Sequence, residues 1–163
     1  MNEPEGETES FLRDQGPVVL CVDDDPEVLH ALSRCLRHEP YRLITVSDPR
    51  EALALLGKVP VDLVIADQRM PGMSGTELLF EARERSPRTA RAILTGYETP
   101  STVRKGLESG ADTFLYKPWN DSKLRTWVRR ILDRSGASRP PQEFPADGEP
   151  EGDRSFDLGG EGG

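Results

Sequence analysis

Short apolar runs alternate with helical patterns five times between residue 17 and residue 134. The apolar runs lie near residues 17–22, 41–46, 61–66, 90–94 and 113–116. Strands that alternate with helices in this way are typical of βαβ units, which build a parallel sheet covered by helices on both faces. A chain of 163 residues has room for one domain of ordinary size. The sequence therefore predicts a single α/β domain.

Capping residues mark the predicted starts of three helices. Asp25 and Asp48 each precede a proline, and an acid followed by proline suits the cap and first position of a helix. Two further pairs have the spacing in which a cap and the third helical residue satisfy each other's backbone donors. These pairs are Asp48 with Glu51, and Ser74 with Glu77.

Reactive side chains follow four of the five apolar runs. Asp23 and Asp24 follow the first run, Asp67 the third, Thr95 the fourth and Lys117 the fifth. Ligands of an open parallel sheet bind outside the carboxyl ends of its strands, so these side chains are expected to form one site. Acids, a hydroxyl and an ammonium together suit Mg²⁺ and a phosphoryl group.

The motifs that carry these residues resemble the receiver domain of two-component response regulators. They are Val22-Asp23-Asp24-Asp25-Pro26, Asp67-Gln68-Arg69-Met70-Pro71-Gly72-Met73-Ser74-Gly75, Leu94-Thr95-Gly96 and Lys117-Pro118. The resemblance covers residues 17–134 and implies a doubly wound, five-stranded parallel sheet of the flavodoxin-like α/β type, with strand order 2-1-3-4-5. The second strand then lies at the edge of the sheet, which agrees with its lack of a site residue.

The resemblance also implies a role for each acid at the strand ends. Asp67 is the expected phosphorylation site and nucleophile, whose carboxylate becomes an acyl phosphate. Asp24 and Asp67 are the expected direct ligands of Mg²⁺, Asp23 binds the ion through water, and the backbone carbonyl of Arg69 is a further ligand. Asp25 has a competing interpretation, which we prefer, as the cap of the first helix.

Three more residues receive roles from the resemblance, and each has a structural alternative. Lys117 is expected to pair with a phosphate oxygen, although a lysine before proline can be a surface residue. Thr95 is expected to donate its hydroxyl to another phosphate oxygen, or else to serve in a turn. Phe114, three positions before Lys117, matches the aromatic switch position, and a plain core phenylalanine on a strand is the alternative.

The resemblance implies a signalling switch. A sensor histidine kinase donates the phosphoryl group, the receiver catalyses only its own phosphorylation and dephosphorylation, and the face of the fourth helix, fifth strand and fifth helix changes its downstream partner. Two alternatives stay open. One is a magnesium phosphohydrolase of the haloacid dehalogenase type, because Asp23-Asp24-Asp25 contains an Asp-x-Asp pair. The other is a binding module that works without phosphorylation.

The net charge of −8 comes from the two ends of the chain. Residues 1–14 carry five acids and one base, residues 136–163 carry seven acids and two bases, and the residues between are almost neutral. The composition of both ends predicts disorder, since such segments cannot bury enough apolar surface to fold. We therefore expect a receiver domain over residues 15–135, without the basic stripe of a nucleic-acid-binding domain.

No run of apolar residues approaches the ~18 that a membrane-spanning helix needs, and the acidic N-terminus does not resemble a signal peptide. We therefore expect a cytoplasmic protein. Cys21 lies in an apolar run and Cys35 on the apolar side of the first helix, so both are expected to be core thiols. Whether the chain is a complete receiver or a fragment of a longer protein stays open.

Overall fold

The computed structural model describes residues 16–96 and 99–134. The acidic arm at residues 1–14 and the tail at residues 136–163, both predicted to be disordered, lie outside the described residues. The described chain forms five strands and five helices in strict alternation. The strands are β1 (Val18–Val22), β2 (Arg42–Val46), β3 (Leu63–Asp67), β4 (Ala90–Thr95) and β5 (Thr113–Tyr116). The helices are α1 (Pro26–Leu36), α2 (Pro49–Leu56), α3 (Gly75–Arg85), α4 (Pro100–Ser109) and α5 (Asp121–Asp133).

All strands are parallel and their order is β2-β1-β3-β4-β5, which confirms the predicted topology. The hydrogen-bonded ladders run to the carboxyl ends of the strands. Asp67 is opposite Leu94 and Thr95 is opposite Tyr116. Asp67 and Thr95 are thus the last residues of their strands. The sequence had predicted that each would lie one residue beyond the end of its strand. Main-chain pairing therefore fixes the backbone of both site residues.

The start of β3 differs from the prediction by two residues, since the strand begins at Leu63 and not at residue 61. The carboxylate of Asp62 accepts the backbone N–H of Val18 at 2.9 Å. The carbonyl of Val61 accepts the hydroxyl of Thr89 at 2.6 Å. Side chains therefore take part of the hydrogen bonding at the amino end of the sheet, and the regular strand starts after them.

Two apolar layers enclose the sheet. Helices α1 and α5 cover one face through Leu32, Leu36, Leu124 and Val128, among others. Helices α2, α3 and α4 cover the opposite face, where residues such as Leu53 and Leu78 pack on the sheet. The buried residues of α5 are Leu124, Trp127, Val128 and Ile131, which form one apolar stripe against the sheet. Burial on both faces explains why β1 and β3 consist of continuous apolar residues.

The predicted helix caps form, with one difference in detail. Asp25 accepts the N–H of Glu27 at 2.9 Å, and Ser74 and Glu77 form the complete reciprocal capping box. Asp48 also caps its helix, but it accepts the N–H of Arg50 and not that of Glu51. The aspartate side chain is short and folds back on the amide two residues ahead, which is the usual geometry of an Asx turn.

Among the helices of the described chain, none combines the length and the apolar composition that crossing a membrane requires.

Both cysteines are buried free thiols, as the sequence predicts. Cys21 lies in β1, and burial raises the pKa of its thiol to about 12. Cys35 lies on α1 and donates to the backbone carbonyl of Asp121 at 3.6 Å. Burial, together with the nearby charge of Asp121, raises the pKa of Cys35 to about 11. Neither thiol is a good nucleophile at neutral pH, since the thiolate is the reactive form.

We predict that iodoacetamide at pH 8 alkylates Cys21 and Cys35 far more slowly in the native protein than in urea, as measured by intact mass. The folded state keeps both protons above the ordinary thiol pKa of 9.0, whereas the unfolded state loses them. The contribution of the two thiols to stability is therefore complete below pH 9 and is lost as the pH rises through about 11 for Cys35 and about 12 for Cys21. Rapid alkylation of the native protein would contradict this assignment.

Candidate functional site

Three carboxylates meet at the carboxyl end of the sheet. Asp23 and Asp24 directly follow β1, and Asp67 ends the adjacent strand β3. Oxygen atoms of the three side chains lie within 4.8 Å of one another. Asp23 and Asp67 are buried, while Asp24 is exposed. The structure therefore brings together the acids that the sequence assigned to one site.

Lys117 reaches this cluster from the end of β5. Its Nζ atom lies 2.9 Å from Oδ1 of Asp67 and 3.2 Å from Oδ2 of Asp23. Its backbone N–H donates to the carbonyl of Thr95 at 2.8 Å, which extends the pairing of β4 and β5 to the site. The lysine side chain thus spans from β5 past β4 to the acids of β3 and β1, so the alternative of a plain surface lysine does not hold.

Burial and the neighbouring charges shift the pKa values of Asp23 and Lys117. Burial raises the pKa of Asp23, and the charge of Asp67 adds to the rise, while the N–H of Asp25 and the ammonium of Lys117 oppose it. For Lys117, burial acts to lower the pKa, but the hydrogen bond to Asp67 and the charge of Asp23 outweigh burial and raise it. The pKa of Lys117 and the pKa of Asp23 therefore both lie above their ordinary values.

Mg²⁺ fits this donor set. One ammonium faces three carboxylates, and the net negative charge favours a further cation. Carboxylate oxygens are hard ligands, and Mg²⁺ binds proteins through a few such groups while it keeps several waters. The exposure of Asp24 leaves the cluster open to solvent on one side. An acidic cluster of this kind at Asp23, Asp24 and Asp67 is typical of the magnesium site of receiver domains.

The remaining predicted site residues have different environments. Thr95 ends β4 and is 2% exposed, so it is part of the strand and not of a turn. Arg69 is exposed and lies two residues after Asp67, in the connection between β3 and α3. Asp25 lies beside the cluster, but its carboxylate caps α1. The preferred sequence interpretation of Asp25 is confirmed.

Phe114 lies below the site in the core between β5 and α4, and it is 1% exposed. Its ring occupies space that a side chain on Gly106 of α4 would need. A Cβ atom at position 106 would lie 2.5 Å and 2.7 Å from Phe114 ring atoms and 3.1 Å from a methyl carbon of Thr76. The aromatic ring, α4 and the first turn of α3 therefore meet at one point.

Sequence reasoning missed several residues that shape the site. Gly75 begins α3, and a Cβ atom there would collide with the carbonyl oxygen of Asp67. Gln68 follows Asp67, and its side chain bonds Thr76. A glycine inside a helical pattern, as at position 106, was a signal of close packing that could have been used. The sequence contains no comparable signal for the partner of Gln68.

Comparisons with known proteins agree with this geometry. Residues 19–129 match the response regulator receiver domain. The hydrogenase transcriptional regulatory protein HoxA of Cupriavidus necator is 39% identical over 126 residues, which cover 77% of this chain and 26% of HoxA. The transcriptional regulatory protein CpxR of Klebsiella pneumoniae is 38% identical over 128 residues, which cover 78% of this chain and 54% of CpxR. This chain therefore spans between about a quarter and a half of these relatives.

A similar solved structure is the signal receiver domain of an HD domain-containing protein from Pseudomonas fluorescens. It superposes with a TM-score of 0.69 at 34% identity, over 73% of this chain and 96% of that domain. The likeness to a solved receiver thus covers nearly the whole of that domain.

Replacement of Gly106 by alanine should cost far less once the ring of Phe114 is removed. With Phe114 present, the new methyl group overlaps the ring, and overpacking of this kind costs about 1–3 kcal/mol. In a Phe114→Leu background the ring atoms are gone and the Thr76 methyl carbon at 3.1 Å is the remaining close neighbour, so a gain of about 0.5–1 kcal/mol from better helix propensity should offset most of the cost. Urea unfolding of the four proteins measures both values. An equal effect of Gly106→Ala in the two backgrounds would refute the contact.

Proposed function

The chain belongs to the response regulator receiver domain family, and on this basis we propose that it is a phosphorylation-dependent switch of a two-component system. Receiver domains act with sensor histidine kinases, and we propose such a kinase as the phosphoryl donor and Asp67 as the acceptor. The observation that carries the proposal is the contact of Lys117 with Asp67 at 2.9 Å inside a cluster of three carboxylates. A carboxylate oxygen that lies beside an ammonium, in an acidic cluster exposed on one side at Asp24, supports phosphoryl transfer to Asp67 with Mg²⁺.

We propose that Asp24 and Asp67 bind Mg²⁺ directly, that Asp23 binds it through water, and that the backbone carbonyl of Arg69 is a further ligand. The bound ion supplies positive charge beside the phosphoryl oxygens, which carry most of the charge in the transition state. The buried carboxylate of Asp23 accepts the N–H of Asp25 at 2.9 Å, which fixes the orientation of its side chain. This acid is thus oriented before any ligand arrives.

The transfer itself needs only one nucleophile. A carboxylate oxygen of Asp67 forms a new P–O bond while the P–N bond of the donor phosphohistidine breaks. The imidazole leaves with the electron pair and is neutralised by a proton, and Asp67 becomes an acyl phosphate. Lys117 then pairs with a phosphate oxygen, and the hydroxyl of Thr95 donates to another. Hydrolysis by water restores the carboxylate, so the protein turns over only its own phosphate.

We propose that phosphorylation shifts an equilibrium between two arrangements of the face formed by α4, β5 and α5. Thr95 contacts the phosphate, and its carbonyl already accepts the N–H of Lys117 from the end of β5. Phe114 is the proposed switch residue, because it joins β5 to α4 through Gly106. A movement of Thr95 toward the phosphate is thereby transmitted to this face, where a downstream protein binds.

The haloacid dehalogenase alternative has lost its support. It needs Asp23 and Asp25 in one site, whereas Asp25 caps α1. A binding module that works without phosphorylation stays possible only if Asp67 accepts no phosphate. We also propose that the functional unit is residues 15–135, and that residues 1–14 and 136–163 contribute nothing to the phosphorylation site, because their acidic and apolar-poor composition cannot build part of it.

Asp67→Asn should abolish phosphorylation. Asparagine keeps the size of the side chain but removes the ionised oxygen that attacks phosphorus. We expect acetyl phosphate with Mg²⁺ to add one phosphate to the unmodified protein and none to the variant, as measured by intact mass and peptide mapping. Equal labelling of both proteins would exclude Asp67 as the acceptor and favour the phosphorylation-independent module.

Asp24→Ala should abolish binding of Mg²⁺ and phosphorylation, while the protein stays folded. Asp24 is exposed, and its removal relieves repulsion among crowded carboxylates. Stability without Mg²⁺ should be unchanged or higher, as measured by thermal unfolding with and without MgCl₂.

The neighbouring acid gives a matched control for this experiment. Asp25→Ala also removes one negative charge, but it removes the cap of α1, so it should lower stability by about 1 kcal/mol and retain binding of Mg²⁺. An unfolded Asp24→Ala variant, or loss of Mg²⁺ binding in both variants, would contradict the assignment of Asp24 as a ligand.

A further inference from the structure

Gln68 connects the end of β3 to the start of α3 through two oxygens. Its backbone carbonyl accepts the N–H of Gly75 at 3.0 Å. Its side-chain Oε1 accepts the N–H of the next residue, Thr76, also at 3.0 Å. Two consecutive amides of the first turn of α3 therefore bind the residue that directly follows Asp67. We call this set of contacts the Gln68 clamp.

The amide nitrogen of Gln68 adds a longer contact, since Nε2 lies 3.4 Å from Oγ1 of Thr76. The same hydroxyl lies 3.2 Å from Oγ of Ser74. Behind these polar contacts, Gly75 allows the helix to approach the carbonyl of Asp67, where any larger residue would collide. Both ends of the connection from residue 68 to residue 74 are thus bonded to the first turn of α3.

The clamp complements the capping box of α3. Ser74 accepts the N–H of Glu77 at 3.1 Å, and Glu77 accepts the N–H of Ser74 at 3.0 Å. The box leaves two amides of the first turn, those of Gly75 and Thr76, and Gln68 accepts both. Gln68 therefore completes the start of the helix and at the same time ties to it the connection that leaves β3.

That connection contains the peptide group between Gln68 and Arg69, and after it the carbonyl of Arg69. Arg69, Pro71 and Gly72 are exposed to solvent, so few side chains pack against this stretch. Met70 is buried and anchors its middle, and Gln68 anchors its beginning. The backbone between these two anchors is the only part of the proposed Mg²⁺ site that does not come from a strand end.

We propose that Gln68 is a positioning residue for phosphorylation. By holding both its main chain and its side chain on α3, it fixes the orientation of the Arg69 carbonyl and of the Asp67 backbone toward the ion. This inference rests on the proposed function of Asp67. Groups that orient the ligands of a metal ion commonly change its affinity about 10–100-fold when they are removed.

The test compares Gln68→Met with Asp112→Ala. Methionine keeps the length of the glutamine side chain but loses its hydrogen bonds with Thr76, while the backbone bond to Gly75 remains. Asp112 accepts the N–H of Arg91 at 2.8 Å at the opposite end of the sheet, so its removal also costs one bond from a side chain to the backbone. The full-length ¹⁵N-labelled protein is titrated with MgCl₂ alone, and the changes in its amide chemical shifts give the affinity for Mg²⁺. Hydrogen exchange at the Thr76 amide reports the clamp directly.

We expect the Kd for Mg²⁺ to rise about tenfold in Gln68→Met, with faster exchange at Thr76, and to stay unchanged in Asp112→Ala. Phosphorylation by acetyl phosphate should slow in parallel at subsaturating Mg²⁺ and recover at saturating Mg²⁺. Gln68→Ala, which adds no volume, should behave in the same way and serves if the methionine variant folds poorly.

Unchanged affinity in both Gln68 variants, in a protein that binds Mg²⁺ and is phosphorylated, would overturn the positioning role alone. An equal loss of affinity in Asp112→Ala would also overturn it, because the effect would then reflect general destabilisation. Failure of the unmodified protein to bind Mg²⁺ or to accept phosphate would overturn the proposed function and, with it, this inference.

Discussion

The ion pairs of Lys117 hold the functional end of this protein together. Two carboxylates, on Asp23 and Asp67, are buried at the ends of adjacent strands, where ionised groups are costly unless a counter-charge is near. The ammonium of Lys117 contacts both acids and comes from β5, two strands away from β3. Removing one partner of such a pair leaves an uncompensated buried charge. The interaction therefore depends on the order of the strands, and the charge left over on the acids favours the binding of a cation.

The close approach of α3 to β3 is the second constraint on the structure, and it is possible because Gly75 has no side chain. Gly75 allows the helix to contact the carbonyl of Asp67, and the amide of Gln68 binds the same turn. Thr76 continues this packing to Gly106, whose missing side chain makes room for the ring of Phe114. Asp67 and the face of α4 and β5 thus share one packed unit. This packing offers the proposed switch a second connection between Asp67 and that face, through α3 as well as through Thr95.

Much of the fold was predictable because its signals are local. Continuous apolar runs identify buried parallel strands, and acids before proline identify helix starts such as Asp25. The predicted ends of strands were correct within a residue, while the start of β3 was not. The carboxylate of Asp62 bonds Val18 of another strand, and a contact over that sequence distance leaves no local pattern. The partner of the Asp48 cap was assigned one residue too far along the helix, because the short aspartate side chain folds back on the amide two residues ahead.

The sequence by itself determined which chemical groups stand at the strand ends, because the type of residue that follows an apolar run can be read directly. Through resemblance it also predicted the receiver domain family, which the comparisons confirm. Only the tertiary structure decided that Lys117 pairs with Asp23, 94 residues away, as well as with Asp67. It likewise decided that Gln68 binds Thr76 and that Phe114 fills the space beside Gly106. These contacts depend on distances between packed elements, and such distances are set by the shapes of many side chains together.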